Sequence, residues 1–362
     1  MLKPKKNGLK NAVKAVAAVL SAALVLGAAA AAKPADAAEP QPGYYTSELT
    51  GLPISATLKS QRPIAVMVDN EKASLPHMGL TEADIVYEMM NSTANGRITR
   101  LMAIVKDWGK ISQFGSIRSA RPTNFMLAAE YNAILVHDGG PFYINAYAAQ
   151  PYSNNLSGGF ARFSNGKRTE YTEYVTLNSY TNPQKGQTYA GLLGRIALKG
   201  YSTNYNEYYQ PSNLLFAPSE YTLDSRPDSK GVTSVALPVP HNSSMLTYNA
   251  ATSTYDYSEY GKAHVDPIHN NARLTFENVL ILKCSWAQLD KNGYMVYNIL
   301  SPWTDGIYLT NGRGIPIKWQ KTSETAHTVY MDVDTGTQLA LNPGKTYIAI
   351  VPDDVWDQLV LK

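Results

Sequence analysis

Short apolar runs that end in polar residues recur along the first half of the chain. Within residues 62–70 (RPIAVMVDN), positions 63–68 are apolar and the last two are polar, a pattern typical of a buried strand. Residues 84–90 and 97–105 are strand-like runs on either side of an Asn-Gly pair, the strongest short turn signal. We predict that these two runs form a β-hairpin.

Helical patterns follow these strands and alternate with them. Pro122 suits the first position of a helix over residues 122–132, in which apolar residues recur at helical spacing. Residues 133–136 (AILV) then predict an apolar strand that runs into His137, and residues 142–150 and 191–200 predict further helices. Because strands and helices alternate, the predicted fold class is an α/β (α+β) N-terminal domain with a mixed sheet.

Beyond residue 245 strand patterns dominate. Residues 278–286 (NVLILKCSW) and 294–300 (YMVYNIL) are apolar runs, and Asn311-Gly312 marks the turn of another hairpin. The second half is therefore predicted to be a mainly β C-terminal domain.

The chain is long enough for two domains. About 325 residues follow the alanine-rich N-terminal segment, more than one ordinary core accommodates. Stretches rich in Pro, Gly and Ser separate the patterned regions. We predict a signal peptide over 1–37, a linker over 38–58, an α/β domain over 59–228, a linker over 229–244 and a β domain over 245–362.

The N-terminal segment has the layout of an export signal. Five lysines precede the uncharged run Ala15–Ala32, and Ala35-Asp36-Ala37 then fits a small-residue cleavage site. The alternative is an uncleaved membrane anchor, since the apolar run reaches 18 residues. Either way we expect an extracytoplasmic protein that is secreted or associated with the cell envelope, with membrane contact only through an uncleaved signal helix.

The net charge of +3 belongs to this segment. Residues 1–37 hold six lysines and one acid, which leaves 26 basic and 28 acidic residues in the rest of the chain. This near-neutral balance argues against nucleic-acid binding. Positive charge can therefore indicate a binding site only where basic residues are clustered.

The single cysteine, Cys284, lies inside an apolar strand pattern. One cysteine cannot form a disulfide within the chain, so stability must come from the core. We expect a buried, unreactive thiol.

Three polar segments at predicted strand or helix ends suggest a ligand site. Asp69 and Asn70 end the first strand, and the run His137-Asp138-Gly139-Gly140 ends another. The loop GSIRSAR (115–121) leads into the helix that begins at Pro122. Guanidinium groups beside a helix N-terminus are suited to bind phosphate or carboxylate groups. The predicted ligand-binding residues are Arg100, Arg118, Arg121, Asn70, Gly139 and Gly140, and the candidate acid–base residues are His137, Asp138 and Asp69.

An alternative is that these charges satisfy one another without any ligand. Arg100 shares a strand face with Ile98, Met102 and Ile104, so it must be paired if it is buried. In this interpretation its partner is Glu88 on the facing hairpin strand. The remaining pairs are Arg118 with Asp84 or Glu130, and Arg121 with Asp138.

No metal or cofactor site is predicted. His264, Asp266 and His269 in HVDPIH have suitable side chains, but no further ligand cluster lies nearby in the sequence. Asp332 and Asp334 lie in a segment too short for a calcium loop. The sequence contains no GxSxG, HExxH, Walker or dinucleotide-binding motif.

Several blocks in order resemble one bacterial family. RPIAVMVDN, GLTEADIVYE, GRITRLMAIV, GSIRSARP and EYNAILVHDGGP resemble the YerB-like envelope proteins, also defined by the domain of unknown function DUF3048. GRGIPIKWQK and LNPGKTYIAIVP are similar to the second domain of that family. The resemblance implies an exported protein of a lipoprotein family, but this chain has no cysteine near the predicted cleavage site. Residues 168–180 (RTEYTEYVTLNSY) also depart from the family pattern, which implies a Pro-His-Asn stretch there.

Two functions are compatible with these patterns. The first is a non-catalytic envelope module that binds an anionic cell-wall polymer or a protein partner through an arginine-rich crevice. The alternative is an enzyme that acts on phosphorylated or glycosyl polymers of the envelope, with arginines stabilising charge and Asp69, Asp138 or His137 transferring protons. The sequence leaves open whether the protein is an enzyme.

Overall fold

A mixed sheet of eleven strands forms the centre of the protein in the computed structural model, which describes residues 41–211 and 214–362. The predicted signal peptide lies outside these residues. We number the strands of this sheet β1 to β11 in chain order. They are Ile64–Asp69 (β1), Ile85–Met90 (β2), Thr99–Val105 (β3), Ile134–His137 (β4), Asn155–Ser157 (β5), Lys230–Gly231 (β6), Asn278–Cys284 (β7), Ser301–Thr310 (β8), Arg313–Lys321 (β9), Val329–Asp332 (β10) and Thr346–Pro352 (β11).

The strand order is β6-β9-β8-β7-β11-β2-β3-β1-β4-β5, with β10 beside β9. The pairs β7/β11, β11/β2, β1/β4 and β4/β5 are parallel, and the others are antiparallel. The predicted mixed sheet is therefore confirmed. The predicted hairpin is formed by β2 and β3, and its turn residues Asn95 and Gly96 have φ of +52° and +67°.

Strands from both predicted domains belong to this one sheet. β11, from the second half, lies parallel to β2, from the first half, with Thr346 opposite Ile85. All seven residues of β11 are buried. Such a continuous apolar run is what a central strand covered on both faces requires.

Each face of the sheet is covered by a different layer. Helix α1 (Pro122–Glu130) packs on one face, against side chains such as Met67 and Met102. The other face packs against a six-stranded sheet and against helix α2 (Leu192–Leu198). The strands of that second sheet are Ser234–Ala236, Met245–Asn249, Thr254–Glu259, Lys262–Ala263, Thr275–Phe276 and Val360–Leu361.

The remaining elements are short. Paired strands of two or three residues are Tyr44–Thr46, Pro53–Ser55, Phe114–Gly115, Ala161–Arg162, Glu173–Val175, Tyr180–Thr181, Thr188–Tyr189, Leu215–Phe216, Ala340–Leu341, Val265–Asp266, Ala272–Arg273, Trp286–Gln288 and Met295–Tyr297. Single helical turns are Ala56–Leu58, Lys72–Ser74, Leu80–Glu82, Ala94–Arg97, Trp108–Lys110, Phe142–Ile144, Asn145–Ala148, Thr169–Tyr171 and Pro267–His269, and Asp353–Gln358 is a longer 3-10 helix. The helix predicted over 142–150 is thus two consecutive single turns.

The structure differs from the prediction where a linker was expected at 229–244. This segment contributes β6 and the strand Ser234–Ala236, and the side chains of Asn242 and Ser244 are buried. Its Pro, Asn and Ser residues resemble a linker by composition. Tertiary hydrogen bonds to the central sheet order them.

Cys284 is buried, as predicted, at the end of β7. Burial raises the pKa of its thiol to about 12, which keeps it protonated and unreactive.

Among the described residues no helix has the length and apolar character needed to cross a membrane.

Candidate functional site

The loop at residues 115–121 lies between the ends of β1 and β4. The backbone N–H of Arg118 donates to the carbonyl of Met67 (3.0 Å), and the N–H of Asp138 donates to the carbonyl of Arg118 (2.9 Å). The structure therefore brings together the three segments that the sequence singled out. The loop leads directly into α1, whose first residue is Pro122, as predicted.

Asp69 is the centre of the charged group in this crevice. Its side chain is fully buried, with Oδ1 3.2 Å from Nη1 of Arg100 and Oδ2 3.0 Å from Nε of Arg118. Asp69 Oδ1 also accepts a hydrogen bond from the backbone N–H of Glu71 (3.1 Å). Two guanidinium groups thus share one carboxylate.

The predicted pair between Arg100 and Glu88 does not form. Arg100 lies opposite Met89 in the register of β2 and β3, while Glu88 lies opposite Leu101. Because successive side chains of a strand point to opposite faces, Glu88 and Arg100 lie on different sides of the sheet. Glu88 instead accepts hydrogen bonds on the far face from side chains including Ser244 (2.6 Å).

The partners suggested for Arg118 are also engaged elsewhere. Asp84 accepts a hydrogen bond from the backbone N–H of Lys106 (2.7 Å). Glu130 forms a buried ion pair with Lys321 (2.9 Å). Arg118 pairs with Asp69 instead. Asp69 is close because it ends β1, the strand whose Met67 carbonyl accepts a hydrogen bond from the Arg118 backbone N–H.

Arg121 forms no ion pair with a carboxylate among the described residues, and the predicted pair with Asp138 does not form. Its Nε donates to the backbone carbonyl of Asn91 (2.9 Å), and its Nη1 donates to the carbonyl of Ala120 (2.9 Å) and to Ser119 Oγ (3.2 Å). The guanidinium lies 4.8 Å from the ring centroid of Tyr294. Arg121 is thus a buried cation held by neutral groups.

Asn91 bridges two of the arginines and was not recognised in the sequence. With its amide oxygen directed at the guanidinium groups, it accepts hydrogen bonds from Arg121 Nη2 (2.8 Å) and Arg100 Nη2 (3.3 Å). Asn91 follows β2 directly, as Asn70 follows β1. A polar residue at a buried strand end is the signal that could have identified it.

We call Arg100, Arg118, Arg121, Asp69 and Asn91 the arginine cluster. Burial and the charge of Arg100 lower the pKa of Arg121 to about 9, and burial also lowers the pKa of Arg100. Arg118 is the most accessible of the three, with 32% of its side chain exposed beside the ring of Tyr171. Three guanidinium groups around one carboxylate leave the cluster with excess positive charge.

Asn70, a predicted ligand residue, is directed away from the cluster. Its side-chain nitrogen donates to Thr99 Oγ1 (2.9 Å) and approaches Glu88 Oε1 (3.4 Å) on the opposite face of the sheet. Adjacent residues of β1 and its extension alternate between faces, so Asp69 and Asn70 cannot serve one site together.

His137 and the two glycines have structural partners. His137 is buried, with Nδ1 2.8 Å from the carbonyl of Gly139 and Nε2 3.4 Å from Asn155 Oδ1, and burial lowers its pKa. A Cβ at Gly140 would lie 2.5 Å from Ile144 Cδ1 and 3.0 Å from the carbonyl oxygen of Ala120, so a larger residue there would displace its neighbours. Gly139 has φ of +72° with open space around it.

Asp138 belongs to a second charged group beside the loop. Arg162 Nη2 lies 2.6 Å from Glu173 Oε2 and 3.4 Å from Asp138 Oδ2. Burial and the nearby Asp138 carboxylate raise the pKa of Glu173 to about 7. Glu173 was missed in the sequence because it lies 35 residues from Asp138 in a segment without a regular pattern.

The residues of HVDPIH are not assembled into one site. Asp266 Oδ2 accepts from Thr81 Oγ1 (2.7 Å), and His269 Nε2 lies 2.7 Å from Glu82 Oε1. His264 is directed towards His77, with Nε2 and Nδ1 3.0 Å apart. Asp332, the other metal candidate, pairs with Arg226 in a turn.

The segment expected to be a linker reaches the end of β1. Asn242 Nδ2 donates to the carbonyl of Asn70 (2.6 Å), and Asn242 Oδ1 accepts from the backbone N–H of Thr99 (3.1 Å). His241 Nε2 lies 3.2 Å from Glu71 Oε2. The second half of the chain therefore helps to position the strand end that carries Asp69.

The fold is a layered mixed sheet with a positively charged cluster at the end of β1. Two family models match the chain, described as protein of unknown function (DUF3048) N-terminal domain over residues 49–191 and DUF3048 C-terminal domain over residues 235–348. The chain belongs to this DUF3048 family, as the sequence blocks indicated.

A curated relative and a solved structure agree with this assignment. The chain is 26% identical over 309 residues to the protein named "Putative lipoprotein YerB" of Bacillus subtilis (strain 168), a match that covers 84% of this chain and 86% of that protein. The crystal structure of YerB protein from Bacillus subtilis has a TM-score of 0.67 and 23% identity, and the match covers 88% of this chain and 99% of that chain. This structural match supports the fold.

Proposed function

We propose that this chain is an extracytoplasmic envelope protein that binds a phosphate or carboxylate group of an anionic cell-wall polymer at the arginine cluster. The observation that carries the proposal is the charge imbalance of the cluster. Arg100 and Arg118 share Asp69, while Arg121 contacts neutral groups. An anion would supply an ionic partner for Arg121, which forms no ion pair among the described residues.

Access to the cluster is through Arg118. Arg100 is 6% exposed and Arg121 is 6% exposed, so they are held in place by their surroundings. Arg118 is partly exposed and has the length to contact a ligand from the surface. A guanidinium that is already ordered by Asp69 loses little further freedom when it binds.

The cellular location rests on two supports. The predicted signal peptide over 1–37 is typical of exported chains, and the relative in Bacillus subtilis bears the name of a lipoprotein. Since no cysteine lies near the predicted cleavage site, we propose secretion or retention through an uncleaved signal helix instead of lipid attachment.

Binding is favoured over acid–base catalysis by the state of the candidate catalytic residues. Asp69 is ion-paired to two arginines, and Asp138 is paired with Arg162. Both ring nitrogens of His137 face protein acceptors, one of them a backbone carbonyl. Asp69 and His137 are buried among these partners, which leaves Asp138, with 34% of its side chain exposed, as the one candidate of the three that a substrate could reach.

The test measures the melting temperature of the purified protein at constant ionic strength with inorganic phosphate, pyrophosphate, poly(glycerol phosphate) and muropeptides. A ligand at a hundred times its dissociation constant should stabilise the fold by about 2.7 kcal/mol. The Arg118→Gln variant should bind at least tenfold more weakly and keep its fold, because this side chain lies at the surface.

Arg168→Gln is the matched control. Arg168 is 78% exposed and paired with Glu170 (3.0 Å), so its loss should leave binding unchanged. Equal binding by Arg118→Gln and the wild type would contradict the proposal. The proposal would also be contradicted if none of the four anions raised the melting temperature, and protein partners would then be tested.

A further inference from the structure

Three buried side chains that could ligate a metal converge on the six-stranded sheet, away from the arginine cluster. They are His77, Glu259 and His264, and their nearest donor atoms all lie within 4.8 Å of one another. Glu259 ends the strand Thr254–Glu259, while His77 follows β1 and is separated from His264 by 187 residues. Because of this separation, the sequence did not associate His77 with the HVDPIH segment.

The orientation of His77 is fixed by the backbone of β1. Its Nε2 lies 2.7 Å from the carbonyl oxygen of Asp69, which can only accept a hydrogen bond. Nε2 must therefore carry the proton, and Nδ1 presents a lone pair to the cluster. A backbone carbonyl that orients an imidazole in this way is a common feature of metal-binding histidines.

His264 faces that lone pair at short range. Its Nε2 lies 3.0 Å from His77 Nδ1, and its own Nδ1 is buried without a hydrogen-bond partner. The ring is 4% exposed, so solvent does not compensate for the missing partner. With His77 Nδ1 as the acceptor, His264 Nε2 is the donor of the bond between the rings. A metal ion bound at His264 Nε2 requires this proton to lie on Nδ1 instead.

Glu259 is the strongest indication of a missing ligand. Its side chain is 2% exposed, and neither carboxyl oxygen has a hydrogen-bond partner. Oε1 lies 3.9 Å from His77 Nδ1. Tyr257 and Asn242 approach the carboxylate without reaching ordinary hydrogen-bond geometry. An isolated buried carboxylate is unfavourable unless a proton or a cation neutralises it.

We propose that His77 Nδ1, His264 Nε2 and Glu259 Oε1 bind one divalent transition-metal ion, with Zn²⁺ as the ion that this donor set fits best. Two imidazoles and one carboxylate are the protein ligands of many zinc sites that keep an open coordination position. The separations of 3.0 Å from His77 Nδ1 to His264 Nε2 and 3.9 Å from His77 Nδ1 to Glu259 Oε1 suit bonds of about 2.0–2.2 Å to a shared ion. All three donor atoms lie within 4.8 Å of one another, and ion binding requires His264 and Glu259 to be no more than about 4.4 Å apart.

The open position would face a cavity of about 340 Å³. Glu259 and His264 line it together with Lys72, Tyr260 and Lys262. This space accommodates water or a small anionic group beside the ion, and the two lysines favour the anion. The proposal does not depend on anion binding at the arginine cluster, since none of the three proposed metal ligands is a member of that cluster.

The experiment removes metal from the purified protein with a chelator and titrates it with Zn²⁺ by calorimetry and with Co²⁺ by visible absorption. We expect one equivalent of Zn²⁺ with at least micromolar affinity, and a Co²⁺ spectrum of low coordination number that Zn²⁺ abolishes. Glu259→Gln and His264→Gln should each weaken binding at least tenfold. Glu259→Gln removes a buried charge and should fold at least as stably as the metal-free wild type, which circular dichroism checks.

His269→Gln is the control. This histidine is half-exposed and paired with Glu82, so its loss should leave metal affinity unchanged. Failure of the folded wild type to take up either ion, or equal uptake by Glu259→Gln and His264→Gln, would overturn the proposal. A loss of binding in His269→Gln equal to that in His264→Gln would overturn it too.

Discussion

Two buried ionic groups on the α1 side of the central sheet differ in how completely their charges are compensated. At the C-terminal end of α1, Glu130 is paired with Lys321 (2.9 Å), and it also accepts from Tyr87 OH (3.0 Å) and from the Thr328 hydroxyl (2.8 Å). At the N-terminal end of α1 lies the arginine cluster, in which Arg100 and Arg118 pair with Asp69 while Arg121 contacts neutral groups. The first group is balanced in charge and hydrogen bonding, and the second is not.

The difference separates a structural ion pair from a candidate ligand site. Lys321 also donates to the carbonyl of Ala326, so the Glu130 pair requires nothing from outside the protein. In the arginine cluster, Arg100 Nε has no hydrogen-bond partner and Arg121 has only neutral ones. Buried charge alone therefore does not identify a site, whereas uncompensated buried charge near an accessible residue does.

Removing one member of the balanced pair should have the largest effect. In Lys321→Ala the Glu130 carboxylate would remain buried without its cation, and we expect the free energy of unfolding to fall by about 4 kcal/mol. Urea denaturation at neutral pH measures this change. The double variant Glu130→Gln/Lys321→Met should lose less than Lys321→Ala, and a larger loss would contradict the description of a balanced pair.

Removing the carboxylate of the arginine cluster should have a smaller effect that an anion reverses. Asp69→Asn leaves three guanidinium groups without a carboxylate, but Arg118 is partly exposed and remains solvated, so we expect a loss of about 2–3 kcal/mol. Phosphate should raise the melting temperature of Asp69→Asn more than that of the wild type. Equal shifts in the two proteins would show that phosphate does not bind near Asp69.

The Asp138–Glu173 group should give a still smaller, pH-dependent effect. The pKa of Glu173 is raised from 4.5 to about 7 in the folded protein, so the folded state holds the proton more tightly than the unfolded state. Its contribution to stability is therefore complete below pH 4.5 and is lost as the pH rises through 7. We expect a decrease of about 1–2 kcal/mol over this range.

The variant Glu173→Gln provides the comparison, because it removes the titrating carboxyl. Its stability should fall less between pH 4.5 and 8 than that of the wild type, as measured by urea denaturation at each pH. Parallel pH profiles for the two proteins would mean that Glu173 titrates normally.

Local patterns of apolar and turn residues in the sequence predicted much of the fold. The apolar runs predicted β1, β4 and β7, and the Asn95-Gly96 pair predicted the β2–β3 hairpin. The segment at 229–244 was misread because loop-like composition cannot reveal that Asn242 and Ser244 bond to the central sheet. Likewise, sequence alone does not show that β11 inserts beside β2.

The candidate site was predicted in location but not in pairing. Strand ends and the loop at 115–121 identified Asp69, Arg100, Arg118 and Arg121 as neighbours, yet every suggested ion-pair partner of the three arginines differed in the structure. Strand register decides which face a side chain occupies, and it placed Glu88 on the face opposite to Arg100.

The sequence by itself determined the strands, the helix that begins at Pro122, the family and the polar residues at strand ends, because these depend on local patterns of apolar, turn and charged residues. Only the tertiary structure decided that Asp69 serves two arginines, that Asn91 joins two of them, and that His77 lies beside His264 and Glu259. These contacts join residues far apart in the chain, and their distances follow from sheet register and packing. No local pattern encodes them.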